Sequence, residues 1–89
     1  MHRITILTKP NCPACDAACK VVDLVLSRHM IALIERIDIT TDADLLAKYQ
    51  NDVPVVLVDG QEKFRGTVDP EKLARCFFDE FGERLVAFN

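Results

Sequence analysis

Lys9-Pro10-Asn11-Cys12-Pro13-Ala14-Cys15 places two thiols three residues apart where a short apolar run ends and an amphipathic segment begins. Upstream, Ile4 to Leu7 is apolar and rich in β-branched residues, too short for a helix and closed by Lys9-Pro10-Asn11, which predicts a buried central strand. Downstream, Ala17, Ala18, Val21, Val22, Leu24, Val25 and Leu26 recur at three- and four-residue intervals, opposite Asp16, Lys20, Asp23 and Arg28. That pattern predicts one long amphipathic helix ending near His29, whose imidazole fits a capping or solvated place at the negative helix end better than a ligand's. Pro13, with its fixed φ and no N–H, suits the first helical position. Cys12 therefore lies at the helix N-terminus, where unpaired N–H groups and the peptide dipoles favour negative charge. The thiolate is the nucleophile of thiol chemistry, and Lys9 is near enough to add a cationic contribution to it. Cys15 falls inside the first turn, shielded and placed to attack a mixed disulfide held on Cys12.

The first residues run almost directly into a strand pattern, leaving no room for a secretory signal. A Cys-x-x-Cys beside a β-α-β pattern in such a chain reads as a redox motif of the thioredoxin type. Half of a zinc site is the competing reading, and a structural or incidental pair a third. A structural zinc site takes four ligands, normally with a second pair at matching spacing. The other candidates, Cys19, Cys76, His2 and His29, supply no second Cys-x-x-Cys or His-x3-His.

Eighty-nine residues predict one domain, residues 1–89, large enough for a single core without obligatory staples. Apolar residues at 49% and charged residues at 28% are those of an ordinary globular chain, without repeats or low-complexity segments. A formal charge of -3 argues against a nucleic-acid partner, which would need a basic face. No apolar run approaches the roughly 20 residues of a membrane span, so no membrane partner is expected. The expected setting is a reducing cytoplasm. Four cysteines there are more readily working thiols or small buried hydrophobes than a disulfide framework.

Leu33 to Ile39, with Ile37 and Ile39 alternating around Asp38, predicts a second strand nearer the sheet edge, and the intervening helix predicts a parallel crossover. Thr40, Thr41 or Asp42 can cap a short helix through Tyr49, a residue expected to pack rather than react. Val53-Pro54 precedes Val55 to Val58, an apolar strand suggesting burial on both faces. Asp59-Gly60 signals a tight hairpin, with Gln61 to Arg65 returning antiparallel. After the connection Gly66-Thr67-Val68, Asp69-Pro70-Glu71 is a helix start: N-cap acceptor, proline at the first position, acid in the first turn. Leu73, Cys76, Phe77 and Phe81 fall on one face of that helix, with Cys76 expected to be packing. Phe78, Leu85, Val86 and Phe88 are not placed by pattern. The order strand, helix, strand, helix, strand, strand, helix calls for a four-stranded mixed sheet flanked by helices, an α/β minimal thioredoxin fold.

The chain resembles the glutaredoxin-like members of the thioredoxin superfamily over nearly its whole length. Thr8-Lys9-Pro10-Asn11-Cys12-Pro13-Ala14-Cys15 resembles their active-site segment, Asp52-Val53-Pro54 stands where they have Thr-Val-Pro, and Gly66-Thr67-Val68-Asp69 resembles their later Gly-x-x-Asp. The resemblance implies a cis Val53-Pro54 bond, backbone hydrogen bonds from Val53 to a glutathione or peptide strand, and Pro54 beside Cys12. It implies a redox-active Cys12–Cys15 disulfide, and a substrate site formed by Lys9, Pro13, Val53, Pro54, Arg65, Thr67, Val68 and Asp69. Two residues depart from the family pattern. Asp52 replaces Thr beside a site meant for anionic glutathione, and Arg65 stands where the second glycine of a Gly-Gly pair would be. Thioredoxins proper match less well, because no tryptophan precedes Cys12.

The expected activity is reduction of protein disulfides or glutathione mixed disulfides, with Cys12 attacking and Cys15 resolving. No tightly bound cofactor is expected, and glutathione would serve as co-substrate. The expected partners of a monomer are disulfide-containing proteins and either glutathione or a thioredoxin-reductase-type reductant. An electron donor of the ribonucleotide-reductase type recharged by thioredoxin reductase is the alternative, and a non-enzymatic metal or iron-sulfur protein a further one. Cys19, four residues after Cys15, is expected in the core, with a third redox thiol as the competing role.

Overall fold

The structure, a computed structural model, describes residues 2–26 and 32–82, apart from the side chains at 80 and 81. The expected helix end at Arg28 and His29, the Phe81 side chain, and Leu85, Val86 and Phe88 lie outside the described residues.

Strand β1 (His2–Thr8) is the sheet's inner rail, and helix α1 (Pro13–Leu26) follows it. Strand β2 (Ala32–Asp38) returns parallel to β1, with Ile4 opposite Ile34 and Leu7 opposite Ile37. A single 3-10 turn, Ile39–Thr41, leads into α2 (Ala43–Tyr49), whose N-cap is Asp42. Strands β3 (Val55–Val58) and β4 (Gln61–Arg65) form the hairpin, and α3 (Pro70–Phe81) closes the described order. The sheet order is β2-β1-β3-β4, with β3 antiparallel to both neighbours. Asp59 at φ 50° and Gly60 at φ 87° supply the two positive φ values that a two-residue type I′ turn demands.

Side-chain alternation along β1 and β3 sorts the core into two layers. Ile4, Ile6, Val56 and Val58 point to one face, where Ala18, Val22, Val25 and Leu26 of α1 and Leu73 and Phe77 of α3 cover them. Leu7 and Val55 point to the other, against Ile39 and Tyr49, with Leu45 and Leu46 of α2 packed alongside. Tyr49 is a packing residue, as its spacing predicts. Cys19 is half-buried against the first layer. Cys76, expected to pack, is half-buried on α3.

Candidate active site

The loop between β1 and α1 is held from both sides. Thr8, nearly fully buried, donates its hydroxyl to the Ile37 carbonyl at 3.4 Å and accepts from Arg36 Nε at 3.3 Å. Lys9, half-buried, donates its ammonium to the Gln50 carbonyl at 3.2 Å, which ties the loop to the end of α2. Asn11 takes φ 57°, a left-handed conformation that Asn tolerates better than most residues, and turns the chain into the helix.

Helix α1 begins at Pro13, so Cys12 is its cap. The Cys12 carbonyl accepts from the N–H groups of Cys15 at 3.0 Å and Asp16 at 3.2 Å, and its Sγ lies 3.2 Å from the Cys15 N–H. Cys12 and Cys15 are joined by a disulfide, their Cα atoms 5.2 Å apart. Cys12 is half-buried and Cys15 is fully buried. The one acid of the first turn, Asp16, accepts from Arg36 Nη2 at 2.9 Å, so its charge beside the dithiol is matched by a cation. That hydrogen bond is the main influence holding the Arg36 guanidinium above its ordinary pKa. Burial pushes the Cys19 thiol up, Arg36 opposes, and Asp23 and Asp16 push it further.

The Val53-Pro54 bond is cis. Because Val55 pairs with Leu7, this segment lies at the sheet end where β1 runs into the dithiol loop. The Pro54 carbonyl accepts from Gly66 N–H at 2.7 Å, whereas Val53 makes no backbone hydrogen bond among the described residues.

Around this segment the remaining candidates separate. Pro13 is exposed at the start of α1, and Thr67 is exposed on the connection. Val68 is buried in the first core layer, so its side chain supports the fold. The Asp69 carboxylate caps α3, accepting from Glu71 N–H at 2.8 Å and Lys72 N–H at 3.2 Å. Arg65 is ion-paired on two sides. Its Nε and Nη2 donate to the two carboxylate oxygens of Glu62 at 3.0 and 2.6 Å, and Nη1 lies 3.1 Å from Asp52 Oδ2. The guanidinium also sits over the Tyr49 ring, 5.5 Å from its centroid. The two departures from the family pattern are thus partners of each other.

Sequence reading missed Glu62, Arg36, Asp16 and Gln50. Glu62 and Arg65 are three apart in a strand, which should put them on opposite faces. A bulge reverses that: Leu57 pairs with Glu62, Val56 with Phe64 and Val55 with Arg65, so Lys63 is the extra residue and both charged side chains share the Val55 face. Gln50 contributes only a carbonyl, for which no residue-type signal exists. A cavity of about 310 Å³ lies on the other side of the loop, lined by Thr8, Lys9, Pro10, Arg36 and Asp38. Among the described residues, no three His, Cys, Asp or Glu side chains converge to hold a metal ion, and no helix is long and apolar enough to cross a membrane.

Residues 3–77 match the glutaredoxin-like domain family (DUF836). A curated protein described as a probable thioredoxin, from Methanothermobacter marburgensis, is 31% identical over 80 residues, which cover 88% of this chain and 94% of that protein. Among solved structures, a mutant thioredoxin from Halobacterium salinarum aligns with a TM-score of 0.66 at 20% identity, covering 88% of this chain and 73% of that one. The structural likeness establishes the thioredoxin fold.

Proposed function

The chain belongs to the glutaredoxin-like domain family, and from that premise we propose that it is a dithiol oxidoreductase in which Cys12 attacks disulfides and Cys15 resolves the product. The observation that carries the reading is the bonded Cys12–Cys15 pair at the α1 N-terminus, with one sulfur half-buried and the other enclosed. In the reduced protein the Cys12 thiolate would gain from the helix end and from the Cys15 N–H that faces its sulfur. It attacks one sulfur of the substrate disulfide, forming a mixed disulfide and releasing the first substrate thiolate. The Cys15 thiolate then attacks Cys12 Sγ, forming the intramolecular disulfide and releasing the second. Two electrons pass to the substrate, whose two sulfurs leave as thiols after taking up protons. Val53 would align an extended substrate strand through its backbone N–H and C=O, and a separate reductant, glutathione or a thioredoxin-reductase-type protein, would return the dithiol.

Cys15→Ser tests the division of labour. The variant should accumulate a mixed disulfide with a protein substrate, visible as a mass adduct on Cys12, and lose turnover with substrates that need a resolving thiol. Full turnover by Cys15→Ser, persisting when Cys19→Ser is added, would remove Cys15 from the mechanism.

A further inference from the structure

On the flank of the site beside the 49–54 segment and β4, Arg65, Lys48 and Lys9 each make a contact within the protein. Arg65 meets both oxygens of Glu62 at 3.0 and 2.6 Å and Asp52 at 3.1 Å, so three of its nitrogens face carboxylates. A guanidinium is a planar fork suited to a bidentate carboxylate partner, and here Glu62 already occupies that place. Lys48 lies with its ammonium 5.2 Å from the Tyr49 ring centroid and contributes to holding Glu62 ionised. Lys9 donates to the Gln50 carbonyl. Asp52 directly precedes Val53-Pro54, so its pairing with Arg65 fastens the substrate-aligning segment to β4.

From this we infer that the Asp52–Arg65–Glu62 bridge is a specificity element which closes this flank to free carboxylates, so that the protein acts on disulfides carried by extended polypeptide strands in preference to glutathione disulfides. The inference rests on the dithiol reading above. Glutathione brings two carboxylates, and to gain a contact with Arg65 it would have to displace one that is already bound. A polypeptide strand can use the Val53 backbone and asks for no cation here. The bridge has its own local cause: the bulge at Lys63 turns Glu62 onto the face of Arg65, so the lock is built by the register of β4.

The test compares two small disulfides against the pre-reduced protein in single-turnover oxidation of Cys12 and Cys15: glutathione disulfide and uncharged hydroxyethyl disulfide. The readout is the ratio of the two second-order rate constants, which cancels general damage to the dithiol. Asp52→Asn with Glu62→Gln frees the Arg65 fork and should raise the glutathione-to-uncharged ratio by roughly two- to five-fold at low salt, the range of exposed ion pairs. Adding Arg65→Gln to that double variant should remove the gain. No rise in the double variant would overturn the inference. So would a rise that survives loss of Arg65, which would trace the effect to diffuse charge rather than to the lock. If neither disulfide oxidises the dithiol in the unaltered protein, the dithiol reading itself fails and the inference with it.

Discussion

The N-termini of α1 and α3 share a plan. Each has a capping residue, a proline at the first helical position, and an N–H three residues on that points back at the cap's side chain. In α3 the cap is Asp69, whose carboxylate accepts from two N–H groups. In α1 the cap is Cys12, whose sulfur takes one contact, from Cys15, at 3.2 Å. A helix N-terminus favours an anion, and α3 places a carboxylate there. At α1 the same place is held by a group that becomes an anion only when the disulfide is opened. At α1 the cap is left incomplete: the field that Asp69 uses for stability would, in the reduced protein, be available to a thiolate at Cys12.

Cys12→Asp breaks the contrast outright by giving α1 the cap of α3. Dithiol activity should fall to background, while the variant should melt above Cys12→Ala by about 1 kcal/mol, or roughly 4–8 °C for a domain of this size. Thermal unfolding beside a disulfide-reduction assay checks both, and equal melting of the two variants would mean that the α1 terminus does not favour an anion.

A smaller effect sharpens it. In the reduced protein, alkylation at mildly acidic pH should label Cys12 well ahead of Cys19, because burial raises the Cys19 thiol and leaves it protonated there. Peptide mass mapping over time reads the order: first labelling at Cys15 would reverse the roles assigned to the two ends of the first turn, and first labelling at Cys19 would remove Cys12 as the most reactive thiol.

Asp69→Ala attacks the inert member of the pair. It should lower unfolding free energy by about 1 kcal/mol, seen as a reduced urea midpoint with an unchanged slope. A neutral result would show that Pro70 and the packing of Leu73 and Phe77 hold α3 without the cap.

The smallest effect concerns a carboxylate outside both helices. Asp59 accepts from Arg3 N–H at 2.8 Å and pairs with His2 Nδ1 at 2.7 Å, and the Arg3 hydrogen bond is the first cause of its lowered pKa. A lowered pKa means stability that is present above the unfolded carboxylate value, about 3.9, and lost as pH falls through the folded one. Asp59→Asn should therefore unfold more easily at neutral pH, and the gap to the parent should close as the titration passes below about pH 4. A gap that persists in acid would assign the effect to turn geometry, since Asp59 also holds φ 50°.

Most of the fold was legible because its signals are local. Apolar runs of β1 and β3, the three-and-four spacing of α1, Asp59-Gly60 and Asp69-Pro70 each declare an element without reference to the rest of the chain. The dithiol was legible for the same reason. What stayed hidden depends on register and on loop closure. Arg65 and Asp52 read in sequence as two separate departures from the family pattern, and only the folded structure makes them a couple. The partner of Lys9 is a main-chain carbonyl, which no residue type announces.

The position of β1 inside the sheet has a consequence for the life of the chain before it folds. The first strand in sequence bonds β2 on one side and β3 on the other, so its ladders close only after the middle of the chain has been synthesised. Contacts so distant along the chain slow folding. The two reactive sulfurs, by contrast, lie within one turn of each other and need no distant partner to meet. The Cys12–Cys15 pair can therefore meet before the sheet that encloses Cys15 has closed.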